Sequence, residues 1–402
     1  MNDVFICDFV RTPFGRYGGA LASIRTDDLG ALPIQALLAR HPTLDWDMLD
    51  EVIYGCANQA GEDNRNVARM ASLLAGLPET IPALTINRLC GSGMDALIQA
   101  SRNIKAGEAD LIIAGGVESM SRAPLVMPKA EAAFSRDTRI YDTTLGWRFV
   151  NPLMQKLYGT DSMAETAENV ATQFNISRAD QDHFALRSQQ RAGLAIANGR
   201  LAREIIPVPV KRGKAADLLI TQDEHPRPST SYEGLAQLKA LFRDPGCITA
   251  GNASGLNDGA AALLVASAAA VHKFGLQPIV RVLGGCSVGL APRIMGYGPA
   301  LATRKLCTRL GLTPTDFDLF EFNEAFAAQV LACSRALGLP DDADYLNPNG
   351  GAIALGHPLG ASGVRISGSL ALQLRQSGLH RGLASMCVGV GQGVAVGLEL
   401  VQ

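Results

Sequence analysis

At 402 residues the chain is too long for one ordinary core, so two or three domains are expected. Apolar residues make up 47% of it and the formal charge is −2, with no long run of either sign, which argues against nucleic acid or a membrane surface as a partner. No stretch approaches ~18 consecutive apolar residues, the N-terminus lacks the basic and apolar regions of a signal peptide, and the eight cysteines form no Cys-x-x-Cys pair. The expectation is a soluble cytoplasmic enzyme with no metal site and no disulfide framework.

Strand-like runs alternate with helical ones along the chain, which predicts a layered α/β architecture. Pro33–Leu38 reads as helix and Asp50–Gly55 as strand. A second apolar run, Leu84-Thr85-Ile86, stops before Cys90, and a helix face follows with Met94, Leu97, Ile98 and Ile104. Cys90 therefore sits at a strand-to-helix corner, where the positive end of a helix dipole is expected to lower a thiol pKa. Gly91 and Gly93 leave room for a substrate to approach the backbone. A buried strand is expected over Ala109–Gly116.

Residues 122–249 have a different texture, with Arg122, Pro124, Pro128, Arg136, Arg139, Lys156 and the run Lys211-Arg212-Gly213-Lys214. One good helix, about Arg178 to Asn198, is embedded there. A basic insertion of this size would suit a substrate with phosphates. After it, Pro299–Ala302 leads to Asp318–Asn323, repeating the earlier helix, link and strand. The reactive side chains recur at nearly equal offsets, 40 residues from Asp50 to Cys90 and 39 from Asp318 to His357. An internal duplication explains the match. A helix over 362–376 and a strand over Gly382–Val388 complete the second unit.

Asn323-Glu324-Ala325-Phe326-Ala327 puts two polar groups in an apolar stretch, where burial demands partners. Asn323 reads equally as a helix N-cap. Glycines flank His357 closely, and Cys387 ends a buried strand followed by Gly389, Gly391 and Gly393, which would expose backbone N–H groups to a ligand. A Cys, a His and a second Cys suit acyl chemistry. A thiolate attacks a carbonyl carbon, a neutral imidazole takes the thiol proton, and a second thiol with a pKa not far above neutrality moves a proton at carbon.

On the motifs Asn87–Gly93, Gly115–Ser121, Ala250–Gly259, Asn323–Ala327, Gly356-His357-Pro358 and Cys387-Val388-Gly389, the chain resembles the thiolase family over essentially its whole length. The resemblance implies two βαβαβαββ halves in a five-layered αβαβα core. The first half would comprise residues 1–121 and 250–271, the second 272–402, with a loop domain over 122–249 for coenzyme A binding and oligomerisation. It implies that Cys90 is acylated, His357 activates it and Cys387 is the second acid/base. Asn323 would fix a water sharing one oxyanion hole with His357, and the amides of Cys90 and Gly389 would form the other. Met163, Arg227, Phe242, Ser254, Met295 and Phe326 match positions lining the acyl-CoA site. No permanently bound cofactor is implied; coenzyme A is a co-substrate, and the chain is expected to be a homo-oligomer, tetramer or dimer.

Many biosynthetic members carry a His-Met pair where this chain reads Ser162-Met163, which argues against a dedicated acetoacetyl-CoA synthase. Decarboxylating ketoacyl synthases of the same fold lack the second cysteine, so Cys387 favours thiolase. Within the family, the run Tyr54–Arg69 looks most like that of members cleaving 3-oxoadipyl-CoA in aromatic breakdown. A general 3-ketoacyl-CoA or acetoacetyl-CoA thiolase is the alternative. A dicarboxylic substrate would want a cation in its acyl pocket, for which Arg65 and Arg69 are candidates, surface ion pairing being their other possible role.

Overall fold

The computed structural model describes residues 2–213 and 215–401, so Lys214 of the basic run lies outside it. In the first half, β1 (Val4–Arg11), α1 (Thr26–Arg40), β2 (Glu51–Gly55), α2 (Val67–Leu74), β3 (Ala83–Ile86), α3 (Ser92–Ala106) and β4 (Leu111–Ser119) follow one another. An insertion carrying α4 (Met163–Gln173), α5 (Arg178–Ala197) and a ribbon of Val208–Arg212 with Ala215–Ile220 precedes β5 (Asn257–Ser267). The second half contains β6 (Val280–Gly289), α6 (Gly298–Leu310), β7 (Leu319–Phe322), α7 (Ala327–Ala336), α8 (Leu359–Ser377), β8 (Arg381–Val388) and β9 (Gln392–Leu400).

The main strands lie in the order β3-β2-β4-β5-β1-β6-β9-β8-β7. This order is a palindrome. β2 runs parallel to β4, β4 antiparallel to β5, and β5 antiparallel to β1; β7, β8, β9 and β6 repeat those relations. Within the sheet, among the described residues, the halves join where Phe5 and Ile6 pair with Arg281 and Val280. The counterpart of β3 is reduced to one bridge between Phe320 and Leu346. The duplication extends to single atoms. Asp50 Oδ2 accepts from the amides of Asp110 and Leu111 at 2.7 and 2.9 Å, and Asp318 Oδ2 from those of His380 and Arg381 at 2.9 and 2.8 Å.

β4 and β5 are buried at every position, because helices cover both faces. Alternation sorts their side chains: Ile112 and Ala114 face inward, Leu111 and Ile113 outward. The inner cluster holds Met94, Leu97 and Ile104 of α3 and Val364, Leu370 and Leu374 of α8, packed on strands of both halves. α1 and α2 cover the outer face of the first half, and α6 and α7 that of the second. Five layers result. The two central helices approach closely at their N-terminal ends. A Cβ on Gly93 would lie 2.3 Å from Gly360 O, and one on Gly360 would lie 2.3 Å from Val117 O and 2.5 Å from Gly55 O. The crossing brings the segments ahead of both helices to one end of the core.

The insertion is anchored to β1 by a buried network in which Arg11 pairs with Glu204 at 2.7 Å and Asp223 at 2.6 Å. Its expected helix runs Arg178–Ala197, with Asn198 as C-cap. Among the described residues, no helix is long and apolar enough to cross a membrane.

Candidate active site

Cys90 lies three residues before Gly93, and His357 three before Gly360, so the helix crossing brings both corners together. The first corner is tightly tied. Leu89 adopts φ 46°, a left-handed conformation unusual for a branched side chain. Asn87 Oδ1 accepts from the Leu89 amide at 2.8 Å, and Ser92 Oγ accepts from Arg88 N and donates to Leu89 O. Arg88 itself is held by Asp95 and Gln392, both at 2.7 Å. Cys90 is thereby presented, half-buried, to a cavity of about 380 Å³.

The thiol is not acidified as expected. Burial pushes Cys90 up to about 11, although the amides of Gly389 and of Cys90 itself act in the opposite direction. Desolvation outweighs the helix end. Those two amides nevertheless act on the Cys90 sulfur itself.

His357 follows Gly356, whose φ of 102° requires glycine and whose Cβ would meet the Asn257 amide group at 2.5 Å. The His357 amide donates to Asn257 Oδ1 at 2.9 Å. Its ring Nδ1 lies 2.6 Å from Ser362 Oγ, and that hydroxyl donates to Pro358 O at 2.8 Å. A hydroxyl has one proton, so Nδ1 carries the ring hydrogen and Nε2 keeps its lone pair. Asn323 Nδ2 donates to Nε2 at 3.3 Å. Burial, aided by the charge of Arg365, depresses His357 to about 3, so the ring is neutral near pH 7.

Asn323 is buried and is not an N-cap; Phe326 occupies that position on α7 with no side-chain cap. Its Oδ1 has no partner among the described residues. Glu324 accepts from Ser188 Oγ, Asn347 Nδ2 and the Ile353 amide, ordering the segment that leads into His357.

Cys387, next to last in β8, packs with Met295 and Ala325, with Met163 and Phe326 against them. Burial and the neighbouring Cys90 thiol raise it well above its ordinary value, not close to neutrality as expected. Ser254 sits beside this group, its amide donating to Ala325 O at 2.9 Å next to the bridge between Ala253 and Phe326. Arg227 and Phe242 are exposed on the insertion, outside the cavity lining. Met163, Ser162 and Gly389 line the cavity with Cys90.

Neither Arg65 nor Arg69 reaches the cavity. Arg65 is exposed, and Arg69 donates to the carbonyls of Ile81 and Glu79 at 2.5 and 2.8 Å. The surrounding run instead orders a loop. Cys56 Sγ donates to Asn58 O, Asp63 accepts from the Gly61 amide, and Glu118 accepts from the amides of Ala57, Asn58 and Gly360. Burial still raises Glu118 to about 7. Sequence reasoning did not single out Ser362, Asn257, Glu118 or Arg148. Asn257 and Glu118 lie inside motifs it quoted, while Ser362 stands five residues after His357, in the first turn of α8.

A buried thiol near Cys90 and a neutral imidazole at the facing corner of a duplicated α/β core suit acyl transfer by cysteine chemistry. The models for the thiolase N-terminal and C-terminal domains match residues 4–269 and 276–400, so the chain belongs to the thiolase family. It is 62% identical, over the full length of both chains, to the beta-ketoadipyl-CoA thiolase of Pseudomonas aeruginosa. It is 60% identical, again over the full length of both, to the 3-oxoadipyl-CoA/3-oxo-5,6-dehydrosuberyl-CoA thiolase of Escherichia coli. The crystal structure of the Bacillus anthracis acetyl-CoA acetyltransferase superposes with a TM-score of 0.92 at 40% identity, covering 100% of this chain and 99% of that one.

Proposed function

We propose that the protein cleaves 3-oxoadipyl-CoA with coenzyme A to succinyl-CoA and acetyl-CoA, a step in aromatic-compound breakdown. The observation that carries the reading is the set Cys90, His357 and Cys387, present in a chain about 60% identical, end to end, to relatives bearing that name. In the first half-reaction the Cys90 proton passes to His357 Nε2 and the thiolate adds to the C3 ketone carbon. The C2–C3 bond breaks, its electron pair leaves as the acetyl-CoA enolate, and Cys387 gives that carbon a proton. Cys90 is left as a succinyl thioester. Coenzyme A then attacks the thioester. Its proton replaces the one Cys387 delivered, and the His357 proton returns to Cys90.

Asn323 and His357 would stabilise one oxyanion, with the unpartnered Asn323 Oδ1 as acceptor for a bound water, and the amides of Cys90 and Gly389 the other. Met163, Ser254, Met295 and Phe326 would line the path of the pantetheine arm, and Arg227 and Phe242 its outer end. A cytoplasmic homo-oligomer is the form we infer. The free cysteines favour a reducing compartment, and the unpaired edge of β3, with Leu84 exposed, favours association. Initial rates of thiolysis test the reading: 3-oxoadipyl-CoA should be cleaved faster than straight-chain 3-oxohexanoyl-CoA and acetoacetyl-CoA. Faster cleavage of the straight-chain substrates would overturn it.

A further inference from the structure

The wall of the cavity opposite the core is built by the insertion, from Thr143 through Arg148 and again from Ser162 and Met163. Its size suits a small acyl group, and most of its lining is apolar. Two charged side chains face it, Glu118 and Arg148. Glu118 is already held by three backbone amides, two from the loop after β2 and one from the start of α8. Arg148 differs. Among the described residues it makes no ion pair and no side-chain hydrogen bond, although it is only partly exposed.

The segment that delivers Arg148 is fixed at both ends. Asn58 Nδ2 donates to Thr143 Oγ1 at 3.0 Å, and that hydroxyl donates to Pro124 O at 2.7 Å. The Trp147 indole N–H reaches Asp161 O at 3.3 Å. A free guanidinium on a braced segment, in the same cavity as the nucleophile, is a receptor for a planar anion. The guanidinium fork matches a carboxylate in two parallel hydrogen bonds. A cavity with a mostly apolar lining strengthens such a pair, because little water competes.

We propose that Arg148 binds the terminal carboxylate of the acyl group carried by Cys90 and sets the preference for dicarboxylic 3-oxoacyl-CoA substrates. The assignment rests on the substrate reading above. It also gives the run Tyr54–Arg69 a different role from the one expected: its contribution passes through Asn58, which braces Thr143, rather than through Arg65 or Arg69. Asn58 is a positioning residue in this arrangement.

The test compares wild type, Arg148→Met and Arg148→Lys on 3-oxoadipyl-CoA and on 3-oxohexanoyl-CoA, which has a methyl in place of the carboxylate. Wild type should prefer the diacid. In Arg148→Met, kcat/KM for 3-oxoadipyl-CoA should fall about 10- to 100-fold, mainly through KM, as expected for losing hydrogen bonds between charged groups. The rate on 3-oxohexanoyl-CoA should hold or rise, and Arg148→Lys should keep part of the preference. An equal fall on both substrates would reduce Arg148 to a structural residue, and an unchanged ratio would exclude it from recognition; either result overturns the proposal while leaving the substrate reading intact. A wild type that does not prefer 3-oxoadipyl-CoA would overturn the substrate reading and the assignment with it.

Discussion

The hydroxyl of Ser362 determines which nitrogen of His357 is available, since it has one proton and gives it to Pro358 O. Nε2 is left basic and faces Asn323, and the ring is held neutral by burial. That neutrality has a cost in acid. The folded ring takes its proton only near pH 3, whereas an unfolded histidine does so near about 6.5. Between those values the unfolded chain binds a proton that the native one refuses, so this contribution lowers stability as pH drops from about 6.5 toward 3. His357→Asn lacks the penalty. Thermal unfolding of wild type and His357→Asn at pH 7.5, 6 and 5 should therefore show wild type losing ground to the variant as pH falls. A constant difference in Tm across the series would refute the account.

α3 and α8 are the elements on which the site depends, and their closeness is set by glycine. A methyl on Gly360 would meet two backbone carbonyls, neither of which has a flexible end to move. Gly360→Ala should lower stability by about 1–3 kcal/mol or more, read as a fall in Tm, and should slow acylation of Cys90 as the helix starts separate. Wild-type stability in this variant would mean the crossing is looser than described. These elements were legible in the sequence, because the apolar face of α3 and the matching offsets to Cys90 and His357 are local patterns. Both thiol pKa directions were misjudged for a physical reason. A helix terminus is visible in sequence, but the desolvation that outweighs it comes from residues distant along the chain. An acyl-site cation was sought in Arg65 and Arg69 for the same reason, since nothing local to Arg148, the cation proposed above, marks the wall it joins. The third strand of the second half, reduced to one bridge at Leu346, left no apolar run to read.

At the scale of the molecule, the palindromic sheet ends on one side at β3, whose outer edge is unpaired among the described residues and carries exposed Leu84; Leu73 and Leu74 of α2 are exposed as well. Such an edge invites a second copy. Light scattering after size exclusion should find an oligomer, and Leu84→Asp should shift the population toward monomer; an unaltered mass would place the interface elsewhere. The partition between core and insertion reaches further. The two halves hold Cys90, His357 and Cys387, the bond-making groups of the proposed reaction, while the segment around Thr143 and Arg148 lies in the insertion. Selection can therefore exchange one acyl group for another by rewriting a few positions of that segment, leaving the reacting atoms where they were. A lineage with this layout can diversify its diet without relearning its chemistry.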